Sequence, residues 1–158
     1  MRTILFLCTG NSCRSVMASE MLKKLLGPDG NKKIEVLSAG TGTIAGMQAT
    51  DHTAKVLQRE GIDVSKHRSI PITKELIEKA DLILVMERFH KYRALEIAPN
   101  VKSKAYLLRE FEKNPQEVIE PEILDPIGRP LEVYERSFDL IKDGLEHLVK
   151  WLKQNGWV

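Results

Sequence analysis

The chain has 158 residues, 42% of them apolar and 29% charged, with a formal net charge of +2. That length holds one self-supporting core, and the charge is too small and too dispersed for a nucleic-acid binder. No apolar run approaches the ~18 residues of a membrane span, and the run after Met1 is too short for a secretory leader. The expectation is one domain over residues 1–158, cytoplasmic and monomeric by default, with no nucleic-acid or membrane partner.

Thr3 to Leu7 reads as a strand buried on both faces, because Ile4-Leu5-Phe6-Leu7 runs apolar without alternation. A loop follows, Cys8-Thr9-Gly10-Asn11-Ser12-Cys13-Arg14-Ser15. Val16, Met17, Met21, Leu22, Leu25 and Leu26 then recur at helical spacing, and Gly27-Pro28-Asp29-Gly30 is expected to stop that helix. Ile34 to Ser38 is a second strand, ended by Ala39-Gly40-Thr41-Gly42. A helix from residue 49 or 50 closes at Gly61, and another runs from an N-cap at Thr73 to Ala80. Asp81 to Met86 is a third strand. Arg88 to Ile97 is a helix closed by Pro99-Asn100, and Lys104 to Leu108 is a fourth strand.

Arg109 to Leu124 is charged and contains Pro115 and Pro121, which predicts loop with a helical turn. Asp125-Pro126-Ile127-Gly128 is a turn, and Leu131 to Leu152 is a long helix with one apolar face. Trp151 and Trp157 end this helix against the core. His52, His90 and His147 are scattered, and Tyr92 and Tyr134 read as packing residues. The alternation of strands and helices predicts an α/β three-layer sandwich, a central four-stranded parallel sheet with helices on both faces. Ligands of such sheets sit at the carboxyl ends of the strands, where the Cys8 loop lies.

A strand that leads through a loop into a helix N-terminus presents backbone N–H groups and the positive end of the helix dipole to an oxyanion. The stretch Thr9 to Ser15 is therefore read as a phosphate cradle with Cys8 as a thiolate nucleophile at its floor. A helix N-terminus and a nearby cation both favour a thiolate, and the Ser15 hydroxyl is placed to donate to it. Arg14 offers a planar fork that can hold two phosphoryl oxygens. Gly10 lets the backbone approach the anion, and Asn11 tolerates a left-handed conformation. Cys13 is either a core residue at the helix entry or a second thiol that traps oxidised Cys8 as a disulfide. The two cysteines have no partners at metal-ligand spacing, so no metal and no cofactor is expected.

Cys8-x5-Arg14-Ser15 near the start of the chain resembles the signature of the low-molecular-weight protein phosphatases, and the likeness extends along the whole chain. Ser38-Ala39-Gly40, Gly61-Ile62-Asp63, Ser65-Lys66-His67-Arg68 and Asp81 to Met86 also resemble segments of that family. Asp125-Pro126 stands where the family keeps its general acid. The resemblance implies attack by Cys8 on phosphorus, a phosphocysteine intermediate, Asp125 as acid and then base, and no metal. Arg14 and the loop amides would stabilise the equatorial oxygens. It also implies that His67 joins Asn11 in bracing the loop, and that the partner is a phosphorylated protein.

Two positions bear on the substrate. Tyrosine-directed members usually carry a branched apolar residue where this chain has Ser12, and aromatics after Asp-Pro where it has Ile127-Gly128. The arginine-directed branch is closer at both positions, with Thr and Phe-Gly instead of Ser12 and Ile127-Gly128. Phosphoarginine is slightly favoured over phosphotyrosine. Thiol-coupled arsenate reductases share the loop but need further cysteines, and none follows Cys13. A non-catalytic redox sensor using Cys8 and Cys13 gives no role to Arg14, Ser15 or Asp125.

Overall fold

The computed structural model describes residues 1–111, 116, 118 and 120–158; Pro115 falls outside them. The first strand, β1 (Arg2–Cys8), lies inside a four-stranded sheet and pairs in parallel with β2 (Ile34–Gly40) on one side and β3 (Leu82–Val85) on the other. The short β4 (Ala105–Leu107) pairs in parallel with β3, giving the order β2-β1-β3-β4. Register matches Leu5 with both Leu37 and Ile83.

The unbroken apolar run of β1 has a physical cause in the two cores it serves. Ile4, Phe6 and Cys8 face one cluster with Leu82, Leu84, Met17 and Leu145. Leu5 and Leu7 face the other with Ile83, Val85, Ile77 and Ala94. Full burial contributes roughly 1.5–3 kcal/mol for each large apolar side chain, which makes β1 the most heavily invested strand. Helices α1 (Arg14–Lys33) and α5 (Leu131–Gln154) pack on the first face, and α3 (Lys74–Lys79) and α4 (Arg88–Ile97) on the second. Helix α2 (Asp51–Arg59) packs beside α1 and α5. The four-stranded parallel sheet with helices on both faces is the architecture the alternation predicts.

Helix boundaries follow their caps. The Thr50 side chain accepts from the Thr53 N–H at the start of α2, and Gly61 at φ 75° turns the chain after it. Thr73 caps α3 by accepting from the Leu76 N–H. The expected stop at Gly27 is half right. Gly27 does break the helix, at φ 65° and ψ −176°, but Pro28 restarts it and helical structure continues to Lys33. Proline suits a first helical position, and the Asn31 side chain ties the restarted turn back to the Lys23 carbonyl at 2.8 Å. Helix α5 ends at Gln154, so Trp157 lies beyond it rather than at its end. Gly156 at φ 68° returns the chain, and Trp157 packs 5.8 Å from Trp151 with the Arg2 guanidinium 4.5 Å above its ring. Among the described residues, no helix is long and apolar enough to cross a membrane.

Candidate active site

The order β2-β1-β3 places a topological switch point at the carboxyl ends of β1 and β3, the place where open parallel sheets bind ligands. The Cys8 loop occupies it. Cys8 is the last residue of β1, is 2% exposed, and has its Sγ 3.0 Å from Ser15 Oγ and 3.4 Å from the Ser15 backbone N. The loop then runs straight into α1, whose first turn opens with Arg14, two residues earlier than the apolar spacing suggests. The sulfur thus sits against the N-terminus of a helix.

Asn11 holds the bend. It adopts φ 52°, and no other non-glycine residue among those described has a positive φ. Strain of this kind persists only where surrounding bonds over-determine it. Asn11 Nδ2 donates to Ser15 Oγ at 2.8 Å and to Ser38 Oγ at 2.9 Å, and its Oδ1 accepts from the Ile70 N–H at 2.9 Å. His67 Nε2 lies 2.7 Å from the Asn11 carbonyl. Gly40 is required for close approach, because a Cβ there would meet the Thr9 carbonyl oxygen at 2.6 Å. Beside it, the Thr41 and Gly42 N–H groups donate to the carbonyls of Cys8 and Thr9 at 2.8 and 3.0 Å.

Arg14 is 1% exposed. Its Nη1 meets Glu87 Oε2 at 2.6 Å and the Ile123 carbonyl at 2.7 Å, and its Nη2 lies 3.7 Å from Asp125 Oδ2. Its Nε is buried with no hydrogen-bond partner among the described residues. An unmade buried hydrogen bond costs about 1–3 kcal/mol, so this N–H is a donor in want of an acceptor. Asp125 is partly exposed at the mouth, in a turn where its Oδ1 accepts from the Ile127 N–H at 3.0 Å. Cys8, Gly10, Ser12, Cys13, Arg14, Asp125 and Ile127 line one small cleft. Larger hollows elsewhere on the surface share none of these residues.

Cys13 is 4% exposed and free, with its Sγ 3.5 Å from Thr50 Oγ1 and 3.8 Å from the Tyr134 hydroxyl. Tyr134 is a packing residue of the core, as expected, with its hydroxyl turned to Cys13, and burial pushes its pKa above the ordinary phenol value. His90 departs from its reading as a scattered histidine. It is fully buried, and its Nε2 is 3.0 Å from Thr9 Oγ1. Burial, with the neighbouring Arg14 charge, pushes its pKa down to about 3. Glu87 and His90 were both invisible as site residues in the sequence. The signal that would have found them is position: Glu87-x-x-His90 opens a helix directly after the carboxyl end of β3. Among the described residues, no three His, Cys, Asp or Glu side chains are grouped to hold a metal ion.

The cleft thus brings together a buried sulfur among hydrogen-bond donors, a helix N-terminus, a guanidinium with a spare N–H and a carboxylate at the mouth. Residues 3–157 match the family model described as low molecular weight phosphotyrosine protein phosphatase. The chain belongs to this family of phosphoprotein phosphatases, which are hydrolases. It is 36% identical over 150 residues, 95% of each chain, to a protein-arginine-phosphatase of Geobacillus stearothermophilus. It is 32% identical over 155 residues, 98% of this chain and 99% of the other, to the probable low molecular weight protein-tyrosine-phosphatase EpsP of Ralstonia nicotianae. A solved structure of the YwlE arginine phosphatase, a cysteine-to-serine mutant with its active-site serine phosphorylated, superposes at a TM-score of 0.86. That match has 32% identity and covers 96% of this chain and 95% of the other.

Proposed function

We propose that residues 1–158 act as one phosphatase domain in which Cys8 is the nucleophile, Arg14 and the loop amides of Thr9 to Ser15 hold the phosphoryl group, and Asp125 is the general acid and base. The Cys8 thiolate attacks phosphorus, an S–P bond forms, and the bond to the leaving oxygen or nitrogen breaks as Asp125 gives that atom a proton. Water then attacks the phosphocysteine and gives its proton to Asp125. The S–P bond breaks, and phosphate and thiolate are released. Ser15, by donating to Sγ, stabilises the thiolate both as nucleophile and as leaving group. The phosphorylated serine in the YwlE mutant supports covalent chemistry at this loop position.

For the substrate, phosphoarginine is slightly favoured over phosphotyrosine. The observation that carries this is the lining of the cleft. Among the described residues that form it, none is aromatic, so a phenol ring would lack stacking partners worth about 0.5–1.5 kcal/mol each. The small Ser12 leaves room beside the sulfur. Phosphotyrosine is the second reading, favoured by Ile127, whose 56% exposure gives the mouth an apolar wall a ring can lie on.

The test is kcat/KM on matched phosphoarginine and phosphotyrosine peptides, for the parent and for Ser12→Ile. The parent is expected to prefer phosphoarginine, and Ser12→Ile to shift the ratio toward phosphotyrosine by about tenfold, the equivalent of ~1.4 kcal/mol. A parent that prefers phosphotyrosine makes this a tyrosine phosphatase with an aliphatic slot.

A further inference from the structure

Both ends of the phosphate loop are fastened to the first turn of α4. At the closing end, Arg14 Nη1 meets the Glu87 carboxylate at 2.6 Å. At the opening end, Thr9 Oγ1 meets His90 Nε2 at 3.0 Å. The two anchors are linked, because the Glu87 N–H lies 3.1 Å from His90 Nδ1. A backbone N–H can only donate, so Nδ1 accepts and is unprotonated. A neutral imidazole then carries its proton on Nε2 and must donate it to Thr9 Oγ1. The ring is closed off from water, with Phe89 against it at a centroid distance of 4.1 Å.

We propose that His90 is a positioning residue for phosphate binding: its Nε2–H holds Thr9, the residue after the nucleophile, in the conformation that presents the loop to the phosphoryl group. The inference rests on the phosphatase reading above. On the β2 side the loop is held by its main chain, through the Thr41 and Gly42 N–H groups on the Cys8 and Thr9 carbonyls. On the β3 side the hold on Thr9 is the imidazole. Without it the first peptides of the loop are braced on one side only, while Arg14 keeps its own anchor on Glu87. The imidazole suits the task because its two nitrogens bridge a main-chain donor and a side-chain acceptor. Glutamine at this third helical position also reaches back to the N-cap N–H and offers an amide donor. The imidazole's low affinity for a proton keeps the brace in one state across the physiological range.

The experiment measures the dissociation constant of inorganic phosphate by calorimetry and kcat on an aryl phosphate, for the parent, His90→Leu, His90→Gln, Thr9→Val and Thr9→Ser. His90→Leu and Thr9→Val are each expected to weaken phosphate by about tenfold, the scale of one lost hydrogen bond, and to lower kcat. His90→Gln and Thr9→Ser, which keep the donor or the acceptor, are expected within about threefold of the parent. The combined His90→Leu, Thr9→Val variant is expected to lose no more than either alone. Unchanged phosphate affinity in Thr9→Val, or equal losses in His90→Leu and His90→Gln, would overturn the role. If His90→Leu does not fold, the two Thr9 variants decide the question. A parent that binds phosphate but hydrolyses no phosphoester sinks the phosphatase reading, while phosphate affinity still decides for or against His90.

Discussion

Asn11 and His90 carry the loop in different ways. Asn11 spends three hydrogen bonds on holding a left-handed φ of 52°, and His90 reaches the loop from 81 residues away. The residues Cys8 to Ser15 were legible in the sequence because their chemistry is local: thiol, turn, cation and helix start fall within eight positions. Asp125 was legible through its fixed neighbour Pro126 and the company of that loop. Glu87 and His90 were not, because their meaning depends on β3 lying beside β1, which no spacing along the chain encodes. His90 also predicts a pH dependence. In the unfolded chain its imidazole takes up a proton below about pH 6.5, whereas in the folded protein it does not until about pH 3. Protons therefore favour the unfolded state in that window, and stability falls as pH drops from 6.5 toward 3, by up to about 1.4 kcal/mol per pH unit. Urea midpoints measured from pH 7 to pH 4 are expected to fall less steeply in His90→Gln than in the parent; parallel curves would remove His90 as the cause.

At the scale of elements, the boundaries set by caps were readable, and the misjudged end of α1 was set by a restart. Gly27-Pro28 carries both a helix stop and a helix start, and the sequence shows the stop more plainly. The backbone at Gly27, φ 65° and ψ −176°, lies in a region open essentially to glycine alone, and a Cβ there would meet nothing within 4 Å. The cost of a side chain is therefore backbone strain and not a clash. Gly27→Ala is expected to destabilise the fold by about 1–3 kcal/mol with kcat unchanged. Chemical denaturation checks the first part and a steady-state assay the second. A stability within 0.5 kcal/mol of the parent, about the noise of a neutral surface change, would show that the kink relaxes. The same paired assay separates α1's two jobs, since its N-terminus serves the site and its C-terminal turn only the fold.

The whole molecule explains why the site is where it is. β1 is packed on both faces, so its carboxyl end is a firmly held point from which to hang a strained loop. β2 secures the loop through main-chain bonds, and β3 delivers Glu87 and His90 through the start of α4. α1 supplies the helix N-terminus, and the turn before α5 supplies Asp125. The fold class was readable because periodicity and strand–helix alternation are global signals. The convergence of four elements on one loop was not, because it is a property of sheet order.

The central claim is that Cys8 carries the phosphoryl group. It is tested most directly by mass spectrometry of the Asp125→Ala variant, mixed with nitrophenyl phosphate and quenched with denaturant at neutral pH. Nitrophenolate leaves without help from an acid, so the first step survives this substitution while the second, which needs the base, slows. One phosphoryl group on the peptide that contains Cys8, absent from Cys8→Ala, is the predicted result. Continued turnover with no phosphoryl group on Cys8, or with the group on another residue, would contradict the account.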